Sequence, residues 1–452
     1  MEEIAVRRVE LNKYNSTVRR ALDDTIVKYR SACAEILIAV SEHWDEIKAI
    51  KGEQARQVFV ERLIHATKNN PHPSYPLFDM RLYKLPSYYR RAAISFVIGA
   101  YSSYVSHLEN YNKRRHAAIS NGQKFKEKPP RLESMNQFPV LYRKNTFNEL
   151  EGSSFEIKVF IRNTWDFIKV NAPMRDKKDF AECQTQGIAL APHLVFAYGK
   201  YNLDFPMKYG CSLPKLPDIR ELGILSIDLG INCDAVCTVM KGDGAIESRH
   251  FINLASEKDQ LDRLITRSNK LRRISGFGQE LTHIHTKIQG VKENHAKQLT
   301  AKIRKLAVAE NVDVVVIEHL GKMKPKGDKK QRIHHWCKSF MQELLCGELH
   351  RYGIHYATVN PANTSALAFD GSGKVTRDPT NNSICTFQTG KVYNCDLNAS
   401  YNIGARYFIR EYLKSLAATQ ESQLKAKVPE LVKRTTCTLA TYRVLLNVDL
   451  GA

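Results

Sequence analysis

Residues 312–318 read VDVVVIE, a short apolar run that ends on a carboxylate. Successive side chains of a strand point to opposite faces, so Val314, Val315, Val316 and Ile317 all need cover only if both faces are buried. That requirement selects a layered α/β sheet flanked by helices over a one-sided antiparallel sheet. It also sets a problem at Glu318. A lone charge at the end of a buried strand is costly unless it is paired, metal-bound or solvated there.

The same arrangement recurs upstream. In GILSIDLGINCDAVCTVM, Asp228 ends the apolar stretch ILSID, and Gly230 permits a tight turn directly after it. A third acid, Asp396, lies in NCDLNASYNIGAR, where Leu397, Ser400, Tyr401, Ile403 and Gly404 fall at helical offsets. Taken singly, these acids have ordinary explanations, a turn or cap residue for Asp228 and an N-cap for Asp396. Together, two strand-end acids and one helix-start acid supply hard oxygen ligands from separate elements. Two divalent ions about 4 Å apart need such a set, one to activate water and one to stabilise a leaving oxygen.

Charge points to the partner. The chain of 452 residues carries 68 Lys and Arg against 47 Asp and Glu, a formal net charge of +21. With 43% hydrophobic residues, 18 Phe and 20 Tyr it has core material that a disordered basic protein lacks. The charge therefore sits on folded surfaces, where Lys and Arg replace counterions on a polyanion, nucleic acid first and anionic lipid as the alternative. No stretch approaches the roughly 18 apolar residues of a membrane span, and MEEIAVRRVELNKYN lacks the apolar core of a signal peptide. The expectation is a cytoplasmic, nucleoid-associated protein that does not engage membranes. Its ten cysteines include no CxxC pair, which leaves no disulfide framework and no intact zinc site.

Periodicity divides the chain. A strand over 1–14 is followed by helical patterning over 15–120, a β region over 121–221 and an α/β region from 222, with a charged helical insertion at about 256–311. NGQKFKEKPPR forms the first border, Phe155, Ile157, Val159 and Ile161 alternate as a strand, and LVFAYGKYNLDF predicts two strands around Gly199. In the helical block, Tyr88 beside Arg90 and Arg91 offers a base-stacking and phosphate-holding pattern, continued by Lys113, Arg114, Arg115, Lys124 and Lys126. Tyrosines packed in a helical core are the alternative. Arg263, Arg267, Lys270, Arg272 and Arg273 form a second basic series, and Lys324, Lys326, Lys329, Lys330 and Arg332 a third, in a loop punctuated by Pro325 and Gly327.

The order SIDLGIN, VVVIEHLG and DLNASYNIGAR resembles the three RuvC motifs of TnpB and of the compact type V CRISPR effectors. HHW at 334–336, the helix SFMQELLCGELHRYG and VNPANTS at 359–365 extend the resemblance over about half the chain, while residues 1–221 share only architecture. It implies an α/β and α+β multidomain protein. An RNase H-like RuvC domain (222–365 and 396–452) accompanies a β-barrel-like wedge domain (1–14 and 121–221), interrupted by a helical recognition domain (15–120). The resemblance makes Asp228, Glu318 and Asp396 the ligands of two Mg2+ ions, with Mn2+ as a substitute, in a site that hydrolyses DNA and leaves a 5′ phosphate. Guide RNA would pair with one strand of double-stranded DNA beside a short motif and displace the other strand, with one or two copies of the chain per RNA. The basic series at 263–273 would track the heteroduplex backbone, and the loop at 322–332 would gate the site.

One departure stands out at 366–395, where the family carries a zinc ribbon of two CxxC pairs. TSALAFDGSG holds no cysteine and CTFQTGKVYNC holds Cys385 and Cys395 at the wrong spacing, so a degenerate loop without zinc is expected. The vicinal His334 and His335 read as surface or phosphate-contacting residues. Two other functions fit an RNase H-like site, a DDE-type transposase or resolvase that needs no RNA, and an RNA-guided repressor that has lost cleavage.

Overall fold

A computed structural model describes residues 2–132, 137–230, 233–275, 278–319, 338–381 and 383–448. The chain divides into two compact units, Ile4–Tyr209, and Met1–Glu3 with Gly210–Ala452.

The first unit holds strand β1 (Glu2–Glu10) from Ile4 onward, helices α1 (Ser16–Glu42), α2 (Trp44–Ala49), α3 (Glu53–Ile64), α4 (Leu77–Arg81) and α5 (Ser87–Ser120), strands β2 (Phe147–Glu149), β3 (Ser154–Ile161) and β4 (Thr164–Asn171), helix α6 (Met174–Gln186), and strands β5 (Ile188–Ala189), β6 (His193–Ala197) and β7 (Lys200–Gly210). Asn15 starts α1 by accepting a 2.9 Å hydrogen bond from the Val18 amide. Leu22, Ile26, Tyr29, Cys33, Ile36 and Val40 then bury one stripe of α1, which packs on α5. Burial along α5 largely stops after Val97, with Tyr111 the one further buried residue. β1 pairs with β7, so the helical block is inserted between two strands of one sheet. Tyr198 (φ 55°) and Gly199 (φ 77°) form the two-residue turn between β6 and β7, the left-handed pair that matches strand twist. β2, β3 and β4 make a separate sheet, and no closed barrel occurs among the described residues. Helix α6 lies in a span whose sequence reads as β. It has a single fully buried apolar anchor, Phe180, seated 4.1 Å from the Phe205 ring.

The second unit is built on β8 (Gly223–Asp228), β9 (Ala235–Lys241), β10 (Ile246–Ile252), α7 (Ala255–Ser275), α8 (Gln279–Ala309), β11 (Val314–Glu318), α9 (Lys338–Arg351), β12 (His355–Val359), β13 (Thr376–Arg377), β14 (Ile384–Thr386), β15 (Val392–Asn394), α10 (Cys395–Ser415), α11 (Ala418–Lys427) and α12 (Leu439–Leu446). Its sheet runs in the order β10-β9-β8-β11-β12, with β11 parallel to β8 and β12, and β9 antiparallel to β8 and β10. This is the strand order and direction of an RNase H-like sheet. Val314 and Val316 pack with Ile224, Met240, Ile403 and Phe408 on one face. Val315 and Ile317 pack with Leu225, Leu299, Ile303 and Leu345 on the other. The run VVVI is thus covered on both sides. α10 lies so close to the sheet that a Cβ on Gly404 would stand 3.0 Å from Met240 Cε and 3.1 Å from Ser226 Oγ. β13, β14 and β15 form a small sheet over Ala368, Cys385, Phe387 and Cys395, with Phe369 and Tyr393 against it. Among the described residues no helix is long and apolar enough to cross a membrane.

Candidate active site

β8 and β11 run parallel with Ile227 opposite Ile317, so Asp228 and Glu318 occupy the next position at the same carboxyl ends. Ligand sites of open α/β sheets form at such strand ends. After Asp228 the chain turns at once. A Cβ at Gly230 would lie 2.7 Å from the Cys233 carbonyl oxygen, which reserves that position for glycine.

Asp396 enters from the first turn of α10, and it is not the cap. Asn394 caps the helix, its Oδ1 accepting from the Asp396 amide at 3.0 Å and the Leu397 amide at 2.9 Å. The Asp396 carboxylate is thereby released from capping. Asn394→Ala removes both bonds and is expected to destabilise by about 1 kcal/mol, read as a lower midpoint in thermal denaturation of the purified protein.

The three acids are half-buried and share one electrostatic environment. Burial, then the charges of Glu318 and Asp396, push the Asp228 carboxyl well above its ordinary range, with the Arg377 guanidinium opposing. Burial also raises Asp396, again against Arg377. Glu318 is raised by burial and held back by the Thr364 hydroxyl and the Arg406 charge. The Thr364 hydroxyl, itself buried, donates to Glu318 Oε1. Arg377, exposed on β13, donates to Ser365 Oγ at 3.0 Å. The residues Asn394, Thr364, Arg377 and Arg406 were not foreseen from sequence, although TS in VNPANTS and the spacing of Asn398, Asn402 and Arg406 mark their surroundings.

Among the described residues no group of three or more His, Cys, Asp or Glu forms a ready-made metal cage. The donor chemistry still fits hard divalent cations, because the set is all carboxylate and Asp228 feels the negative charge of both other acids.

The basic candidates divide. Arg90 is a correction, since it is buried in the α3–α5 interface with Nε 2.9 Å and Nη2 2.8 Å from Glu61 Oε1, and its guanidinium is not presented to a ligand. Packing of two helices explains it, as the same ion pair satisfies a buried charge. Arg91 is exposed but shares Glu61 at 3.6 Å, and Tyr88 is half-buried against Tyr142. Lys113, Arg114, Arg115, Lys124 and Lys126 are exposed, with Arg114 3.0 Å from Glu127. Arg263, Arg267, Lys270, Arg272 and Arg273 lie on exposed positions of α7, Arg267 bonding Glu280 at 2.9 Å. Lys324, Lys326, Lys329, Lys330, Arg332, His334 and His335 lie outside the described residues.

The Aq_aa04 family model matches residues 5–161. No curated protein matches the chain. Among solved structures, CasPhi-2 (Cas12j) bound to crRNA aligns at a TM-score of 0.47 and 9% identity, over 89% of this chain and 97% of that one. A Cas12f1–sgRNA–target DNA complex aligns at 0.32 and 14% identity, over 88% and 98%. The mini-RNA-guided endonuclease CRISPR-Cas_phi3 aligns at 0.51 and 10% identity, over 89% and 92%. By fold, this chain is similar to CRISPR-Cas_phi3, a compact type V CRISPR effector.

Proposed function

We propose that the chain is an RNA-guided DNA endonuclease of the TnpB and compact type V kind, whose RuvC site cuts DNA with Mg2+. The observation that carries this reading is the placement of Asp228, Glu318 and Asp396 at one end of a five-stranded sheet with RNase H-like order. The likeness in fold to a mini-RNA-guided endonuclease supports it.

Asp228, Glu318 and Asp396 would hold the metal. Two bound Mg2+ ions would supply a water activated as nucleophile and charge stabilisation at the leaving oxygen. Asn394 keeps Asp396 facing the site, Thr364 fixes one oxygen of Glu318, and Arg377 brings a positive charge that favours the ionised forms of Asp228 and Asp396. The exposed basic residues of α5 and α7 are suited to the phosphate backbone, and base pairing with guide RNA would supply the sequence information.

The test is the RNA that copurifies when the chain is expressed together with its own flanking DNA. A discrete RNA, whose removal by RNase abolishes DNA cleavage, is the expected result. Metal-dependent cleavage that survives RNase treatment would instead indicate a DDE-type transposase or resolvase.

A further inference from the structure

We infer that Thr364 is a positioning residue for Glu318, aimed by a polar ladder along α10. The inference rests on the metal-site reading of Asp228, Glu318 and Asp396. Most of the buried surface of α10 is apolar, yet Asn398, Asn402 and Arg406 are also buried, at 0%, 0% and 5% exposure. Their spacing of four residues places them on one helical face. Every hydrogen bond they make goes to main chain. Asn398 Nδ2 donates to the Leu367 carbonyl and its Oδ1 accepts from the Phe369 amide, both at 2.8 Å. Asn402 Nδ2 donates to the carbonyls of Thr364 and Leu367, both at 2.9 Å. Arg406 Nη1 donates to the carbonyls of Asn360 at 3.0 Å and Ala362 at 2.7 Å.

This ladder fixes the path of residues 360–369. Within it Asn360 Oδ1 accepts from the Ala362 amide at 2.9 Å, and Asn363 takes a left-handed φ of 65°. The resulting turn delivers the Thr364 hydroxyl to Glu318 Oε1. One lone pair of Oε1 is then engaged, which fixes the carboxylate's orientation while leaving acceptor sites for a ligand. Because α10 also carries Asp396, two of the three acids take their positions from one helix, Asp396 directly and Glu318 through Thr364. Partners that orient a ligating carboxylate in this way strengthen the site without touching the ligand.

Thr364→Val keeps the branched shape and removes the hydroxyl. The readouts are Mn2+ binding to the RNA-free protein, followed by electron paramagnetic resonance with Asp228→Asn as the background, and the cleavage rate of the guide-loaded complex. Thr364→Val is expected to weaken site-specific Mn2+ binding and slow cleavage by about tenfold each. Thr364→Ser should restore both, a rescue that a merely space-filling role does not give. Thr364→Ala, which adds no methyl that clashes, must show the same weakening. Wild-type Mn2+ affinity in Thr364→Val and Thr364→Ala would overturn the inference and leave the metal site standing. Equal Mn2+ binding by wild type and Asp228→Asn would overturn the metal site and the inference together.

Discussion

Asp228→Asn is expected to abolish DNA cleavage while raising the melting temperature of the metal-free protein. Asp228 is the acid that feels both others, so on the proposed metal-site reading its loss removes a central ligand. Metal-borne charge stabilisation worth about 4 kcal/mol corresponds to roughly a thousandfold in rate. The stability effect has the opposite sign. In the folded state the Asp228 carboxyl is raised above its ordinary value of 3.8, so it favours folding fully below that value, and that contribution is lost as pH rises through the elevated folded-state value. Toward neutral pH the wild type folds against the burial and like-charge penalty on this carboxyl, which the uncharged Asn does not carry. A gain of about 1 kcal/mol, or about 2–4 °C, is expected in EDTA. The difference should shrink as pH is lowered toward about 4, where wild-type Asp228 is protonated. Added Mg2+ should raise the wild-type midpoint and leave that of the variant unchanged. Thermal denaturation across pH, with and without Mg2+, reads all of this.

Arg406→Ala is expected to be severely destabilising. Arg406 is buried and donates to four carbonyls, those of Asn360, Ala362, Thr435 and Cys437, at 2.7 to 3.1 Å. It thereby joins α10 to the turn before Thr364 and to the segment leading into α12. Truncation removes the Arg406 donor from all four, leaving the Thr435 carbonyl only Asn363 Nδ2 at 3.4 Å, and opens a cavity, and each unsatisfied buried group costs on the order of 1–3 kcal/mol. A loss of about 3–5 kcal/mol is a large share of a typical domain's stability. The midpoint should fall by roughly 6–20 °C. Arg406→Lys should recover little, because an ammonium cannot span four divergent carbonyls as the planar fork does.

The sheet of the second unit was readable because two of its adjacent strands carry an unmistakable physical demand. ILSID and VVVIE each bury both faces and end on an acid, and the structure places them side by side in parallel. The edge strands β10 and β12 were less visible. Glu247, Arg249 and Phe251 of β10 are exposed, and four of five residues of β12 are only partly buried, so neither has a continuous apolar run. Helix α6 was hidden for a related reason, having Phe180 as its only fully buried residue.

The surroundings of the acids were less readable still. An N-cap is the ordinary role read for Asp396 from sequence, whereas Asn394 takes that role because α10 starts at Cys395. The ladder of Asn398, Asn402 and Arg406 looks like ordinary polar helix surface until its partners, all main-chain groups distant in sequence, are known. Arg90 shows the converse. Its basic, tyrosine-rich neighbourhood suggests phosphate binding, but Glu61 on the facing helix claims it. In the span expected to be a degenerate zinc ribbon, Phe369 packs edge-to-face with Phe387 at 5.5 Å and with Tyr393 at 5.2 Å against the core of the small sheet.

The most direct measurement is DNA cleavage by the protein loaded with its copurified RNA, on a duplex matching that RNA, for wild type and Asp228→Asn side by side. Cleavage by the wild type in Mg2+, its loss in EDTA, after RNase and in Asp228→Asn, and retained binding of the duplex by the variant are the predicted result. Cleavage by Asp228→Asn at the wild-type rate, or wild-type cleavage indifferent to RNase, would contradict an RNA-guided nuclease centred on Asp228, Glu318 and Asp396.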